Sequence, residues 1–136
     1  MAVSNDRKLQ TWQDGMELVR RVYRTTGAFP PGDMFELSSQ LQQAAVSVPA
    51  NIAEGHARGT TRECLRYVVM AHGALAELET LLAVAVDLGY IVAAPVNALT
   101  QSCDKIGRTL GGLRRKFANH GAATARRDSR RQRLGN

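Results

Sequence analysis

Apolar residues return along this chain at steps of three and four, the period of a helix packed on one side. Leu9, Trp12, Met16, Val19 and Tyr23, with Val22 alongside, predict a first helix over residues 7–26, ended by Gly27 and the pair Pro30-Pro31. Asp33 stands three residues before Glu36, a capping-box spacing that opens a second helix reaching His56. Leu37, Leu41, Ala45, Val48 and Ile52 give that helix one apolar face, and Val46, Ala50, Ala53 and Ala57 give it a second. Gln40, Ala44, Ser47, Asn51 and Glu54 form a third stripe, so contact on more than one side is expected. Pro49 removes one backbone hydrogen bond from this helix and predicts a local kink.

Gly55 and Gly59 bracket the next break, and Thr60 followed by Glu63 is a second capping box. The third helix is expected to reach Leu88, with Leu65, Val68, Val69, Leu75, Leu78, Leu82 and Val86 inward and Gly89 at the C′ position. Pro95 suits the first position of a fourth helix. There Val96, Leu99, Cys103, Ile106, Leu110, Leu113 and Phe117 follow in steps of 3, 4, 3, 4, 3 and 4, an a/d heptad that favours near-parallel neighbours. Gly111-Gly112 within it predicts a close helix approach. No segment alternates as a strand does. The expected fold is all-α, an antiparallel up-down-up-down four-helix bundle over residues 1–119. Residues 120–136 are a basic tail of Gly, Ala, Ser and Arg for which disorder is expected.

Composition agrees with one small soluble domain. A chain of 136 residues can close an apolar core without staples, and with aromatics at only 5% that core must be Leu, Val, Ile and Ala. The polar, charged start gives no signal peptide, and the apolar stretch 81–95 is too short to span a bilayer, so a cytoplasmic protein away from membranes is expected. The net charge of +6 is unevenly placed: residues 120–136 carry +4 and residues 1–119 only +2.

Catalysis has little to stand on. His56, His72 and His120 lack the His-x-x-x-His or Glu-x-x-His spacing of a helical metal site. Cys64 and Cys103 have no CxxC partner and read as reduced core thiols. No glycine-rich loop is placed to cradle phosphate. The chain is expected to be no enzyme and to carry no metal or cofactor. Ser47, Asn51 and Glu54 share one helix face, either as a polar binding site or as a buried hydrogen-bond network beside Pro49, with Glu77 as a further candidate; the structural use is preferred.

The basic residues are the stronger functional lead. Arg114, Arg115 and Lys116 close the fourth helix, where cations suit its dipole, and Arg126, Arg127, Arg130, Arg131 and Arg133 follow in the tail. Together they are either a phosphate-binding arm of little sequence discrimination or a solvated tail. Arg58, Arg62 and Arg66 form a smaller patch, expected to be solvated and paired with Glu54 or Glu63.

The run Ala44-Ala45-Val46-Ser47-Val48-Pro49-Ala50-Asn51-Ile52-Ala53-Glu54-Gly55 resembles the signature of the bacterial four-helix-bundle proteins encoded in 23S ribosomal RNA intervening sequences. Trp12, Tyr23, Phe29-Pro30 and Gln40-Leu41 fall where that family has similar residues. So do Gly73-Ala74-Leu75-Ala76-Glu77-Leu78-Glu79 and Leu88-Gly89-Tyr90. The likeness spans residues 8–118, with Ser47, Pro49, Asn51, Glu54, Gly55 and Glu77 as its structural motif. Departures are Gln42-Gln43, where relatives often carry arginine, and Ala74, where they carry serine. The resemblance implies a homo-oligomer, a pentamer in some relatives, with RNA or a ribonucleoprotein as partner. The many-sided apolar surface of the second helix offers a protein-assembly scaffold as the alternative, and the accessory proteins of diversity-generating retroelements, which share the fold, imply a reverse transcriptase as one such partner.

Overall fold

The computed structural model describes residues 5–29, 32 and 35–135. Four helices account for nearly all of them: α1 (Asn5–Gly27), α2 (Phe35–Arg58), α3 (Thr61–Asp87) and α4 (Ala93–Leu134). Among the described residues there is no strand, so the fold is all-α. Each helix packs on its neighbour in sequence, and α4 closes the ring against α1. Contacting positions run in opposite senses. Thr26 meets Gln42 while Gly15 meets Pro49 in α1–α2, and Lys8 meets Phe117 while Arg21 meets Ser102 in α1–α4. The expected cap at Asp33 and the pair Pro30-Pro31 lie outside the described residues.

The connections hold the bundle ends. Thr60 is the N-cap of α3, its Oγ1 accepting from the Glu63 amide at 3.2 Å. Only that half of the expected capping box forms, since the Glu63 carboxylate instead faces Arg66 at 3.9 Å. Gly89, at φ +76°, lies beyond the end of α3, with its amide donating to Val86 and that of Tyr90 donating to Ala85. That positive φ is cheap only for glycine. Tyr90 then meets Phe29 edge-on at 6.3 Å, packing the α3–α4 connection on the α1–α2 connection. The α4 start differs slightly from expectation: the helix begins at Ala93, which puts Pro95 third, still within the turn whose amides have no helical partner.

The α4 heptad is buried at every one of its seven positions. In α3, Val68, Leu75, Leu78 and Leu82 are buried as expected, joined by Cys64, Ala71, Ala74 and Ala85, whereas Val69 faces outward at 37% exposure. Among the described residues α3, rather than 81–95, is the one helix long and apolar enough to cross a membrane by length and composition. In this fold it lies between α2 and α4, and only 39% of its most apolar 18-residue window is buried.

α1 corrects the expected phase. Its core face is Lys8, Thr11, Gly15, Leu18, Val22 and Thr26, about one residue round from the predicted stripe. Leu9 and Tyr23 are 54% and 49% exposed, and Trp12, Met16 and Val19 only half-buried. The polar positions can be buried because their groups are satisfied locally. Thr11 and Thr26 donate to the carbonyls of Arg7 and Val22, and the Lys8 ammonium lies 6.0 Å over the Phe117 ring.

Two glycines set the distances between helices, and neither is in the Gly111-Gly112 pair. A Cβ at Gly15 would sit 3.3 Å from the Pro49 Cβ, and one at Gly55 only 2.9 Å from the Tyr67 Cβ. A Cβ at Gly112 would meet nothing and one at Gly111 only Arg115 of its own helix, so that pair makes no close approach. Changing Gly55→Val should therefore destabilise the fold by about 1–3 kcal/mol through overpacking. Gly73→Ala, where a Cβ meets nothing, should stabilise it by about 0.5–1 kcal/mol through helix propensity. Chemical denaturation of both variants checks the pair; equal effects would remove the close approach at Gly55.

Candidate nucleic-acid interface

α4 is much longer than its neighbours, with 42 residues against 23 to 27. Its last buried residue is Phe117, and every described residue from Ala118 onward is exposed. Where disorder is expected from residue 120, the helix instead continues to Leu134, about 26 Å beyond the bundle. Ala, Arg and Gln supply the propensity, and Thr124 and Ser129 turn their hydroxyls back onto the carbonyls of His120 and Ala125.

That continuity decides where the charges fall. At about 100° per residue, Lys105, Arg108, Arg115, Lys116, Arg126, Arg127, Arg130 and Arg133 share one sector about 120° wide, opposite the buried heptad. Six of the eight arginines and lysines expected to bind nucleic acid lie in it. Arg114 lies toward the seam edge, and Arg131 shares with Asp128 the side that prolongs the seam. Lys105 and Arg108 were missed by sequence reasoning. Their signal is helical spacing to Arg115 and Lys116, legible only once the helix is carried unbroken past residue 119.

The inner end of this face is framed by α1 and α3. Lys105 Nζ lies 3.6 Å from an Asp14 carboxylate oxygen, and the Arg21 guanidinium donates to Ser102 Oγ at 3.0 Å. Arg20, Arg21 and Arg24 gather on the Glu17 carboxylate and, with the Arg20 hydrogen bond foremost, hold it below the usual carboxylate range. Among the described residues, no ion pair joins Arg115, Lys116, Arg126, Arg127, Arg130 or Arg133 to an acid.

The smaller patch is spoken for. Arg58 reaches Glu54 at 3.0 Å and stacks 5.4 Å from the Tyr67 ring centroid, while Arg66 lies 5.9 Å from the same ring. The Glu54 hydrogen bond holds Arg58 more firmly protonated than usual. Arg62 is exposed.

The expected buried network around Ser47 does not form. Asn51 Nδ2 donates to the Ser47 carbonyl at 2.7 Å, Glu54 turns outward to Arg58, and Glu77 is exposed. The motif works through shape instead. Pro49 is buried against Gly15, and Gly55 lets α3 close in, its carbonyl accepting from the Cys64 thiol at 3.0 Å. α2 runs through Pro49 as a single helix.

A groove of about 590 Å³ between α3 and α4 brings His72, Glu79, Cys103, Asp104, Arg108 and Arg115 together. It opens where Gly107 and Gly111 leave α4 bare. The groove chemistry is poor in nucleophiles. Cys103 is fully buried, and burial foremost, with Glu79 and Asp104 adding, pushes its thiol up to about 12. Burial and Asp104 also raise Glu79, with His72 opposing. Among the described residues no three His, Cys, Asp or Glu side chains gather as metal ligands.

A family model described as 23S rRNA-intervening sequence protein matches residues 7–112. The match takes in α1, α2, α3 and the first part of α4, and stops short of Arg115 and all that follows. No curated protein matches the chain.

Because the native Cys103 thiol keeps its proton to about 12 against an ordinary value of 9.0, the unfolded chain alone ionises between those limits. The native state binds more protons there, so the Cys103 contribution to stability is intact below pH 9.0 and is lost progressively as pH rises toward about 12. Melting temperature followed above pH 9.0 should fall more steeply in the parent than in Cys103→Ala. Parallel profiles would show that this thiol is not protected by burial.

Proposed function

The chain belongs to the 23S rRNA-intervening sequence protein family, and from that membership and its charge pattern we propose an oligomeric, non-enzymatic bundle protein that binds RNA, as ribosomal RNA or a ribonucleoprotein. The observation that carries the reading is the cationic face of α4. Its outer charges have no acidic partner among the described residues and stand clear of the bundle, on the residues most accessible to a large polyanion. Neutralising phosphates there would release condensed counterions, the dominant driving force for such surfaces. Phosphate contacts read no sequence, so affinity would be broad.

The reading is tested by titrating the full-length chain against a ribosomal RNA fragment across a salt series. Log affinity should fall linearly with log salt, by about 0.7 to 0.9 for each phosphate neutralised. Binding that ignores salt, or no more binding to RNA than to a neutral polymer, would remove the reading.

Self-association is supported by a different observation. Val46, Ala50, Ala53 and Ala57 on α2, and Val69, Met70 and Val84 on α3, all face outward. Contiguous exposed apolar patches mark partner surfaces. We propose that further copies of the chain cover them, with five as the number the family likeness implies. A protein-assembly scaffold would use the same faces for another partner. Sedimentation of the full-length chain should show an oligomer, and Val69→Glu should shift it toward smaller species with helicity retained. A parent chain that stays monomeric over a wide concentration range would overturn the self-association.

A further inference from the structure

We infer that the RNA engaged by this chain is a duplex segment, held by α4 across a groove with one cationic cluster on each phosphate ridge. The inference rests on the RNA reading above and narrows it to one kind of target and one element.

Two features of α4 carry it, and the first is spacing. The sector opposite the heptad seam holds two clusters, Lys105, Arg108, Arg115 and Lys116 on the inner side and Arg126, Arg127, Arg130 and Arg133 on the outer. From Lys116 to Arg126 the helix rises about 15 Å, and the whole face is about 42 Å long. Between Lys116 and Arg126 the same sector presents only Asn119 and Ala123, with Ala122 and His120 at its two edges, a stretch without arginine or lysine. An A-form RNA duplex presents a wide, shallow minor groove flanked by two phosphate ridges. A straight rod with charge at both ends of that stretch can lie across such a groove and touch a ridge on each side. The outer cluster meets no other helix, so the bundle does not block the approach.

The second feature is chemical. Single strands are held by aromatic side chains on which bases stack, along with a basic track. Beyond Phe117, itself buried, α4 has no Phe, Tyr or Trp, and its one other ring is the His120 imidazole. What remains is chiefly guanidinium and ammonium, groups suited to phosphate oxygens. A duplex presents its phosphates already ordered in two ridges, whereas a single strand would have to be ordered along the rod with no Phe, Tyr or Trp platform to offset that cost. Most of this face lies beyond residues 7–112, which the family model matches.

The test compares two labelled RNAs bound by the full-length chain at moderate salt: a duplex longer than the face, and an unstructured single strand of equal length. The duplex should bind at least about tenfold tighter, with affinity unchanged on scrambling its sequence. A variant combining Arg126→Gln, Arg127→Gln, Arg130→Gln and Arg133→Gln alters only exposed positions, and its circular dichroism should confirm a folded bundle. Duplex affinity should drop at least about tenfold in it, and the salt dependence should flatten by up to about 0.9 per arginine removed. A second variant, Arg115→Gln with Lys116→Gln, should weaken duplex binding as well, since both ridges are needed. Equal or tighter binding of the single strand would overturn the duplex inference while leaving the RNA reading intact. Duplex binding that survives loss of either cluster would overturn the two-ridge arrangement. No binding to either RNA would bring down both.

Discussion

α2 meets α1 at Pro49 and α3 at Gly55, and a side chain added to the glycine would be tight at the first point and would force a shift at the second. Glycine makes each approach possible, Gly15 facing the proline ring and Gly55 facing the Cβ of Tyr67. With the helices so near, the space along α2 is filled by Ala44, Ala45, Val48 and Ile52 rather than by aromatic rings. Small residues also leave little leeway in register, because a shift of one turn would drive a side chain into the neighbouring backbone. The polar positions nearby follow from the same closeness. The Cys64 thiol lies within reach of the Gly55 carbonyl because α3 has been admitted there.

A narrow core has a consequence for the outside. Apolar residues that a wider bundle would take inward are left on the surfaces of α2 and α3, among them Val46, Val69, Met70 and Val84. A helix as apolar as α3 yet only partly covered offers a surface on which a partner could bury apolar area. The open α1–α2 groove lined by Leu9, Trp12, Ile52 and Ala53 has the same origin, since Gly15 draws the helices together while the larger side chains stand at the rim. The proposed self-association would cover surface that the fold itself cannot.

How much of this was legible in the sequence depends on how each helix divides its residues. α4 has large aliphatic side chains on one side and charge on the other, so its heptad predicts burial at every position. α1 was misphased because two rules compete in it. Residue type points to Leu9 and Tyr23, but packing selects Thr11, Gly15 and Thr26, whose size suits a close neighbour and whose hydroxyls bond within the helix. The Ser47 to Gly55 run is recognisable as a motif, yet its polar residues stay at the helix surface while proline and glycine make the contacts. The basic face was half legible. Its residues were evident, but helical periodicity means nothing across a segment read as disordered, and Gly121 with the Arg-rich composition favoured that reading.

The outer part of α4 is costly to keep helical without a partner. Most helical stability in proteins comes from tertiary packing, and this helix buries no side chain after Phe117. Arg126 and Arg130, and likewise Arg127 and Arg131, stand one turn apart, where like charges repel by a few tenths of a kcal/mol. Asp128 relieves little, because it lies off the face on which most of the arginines crowd. Only the position of the charges at the C-terminal end of the helix dipole works in their favour. Any polyanion on this face would cancel the repulsion and so favour the helical form, which ties the proposed RNA contact to the order of the element that makes it. Seam and stripe thus complete one another: the buried heptad fixes the direction of α4, and that direction carries the cations away from the bundle to where a phosphate backbone can reach them.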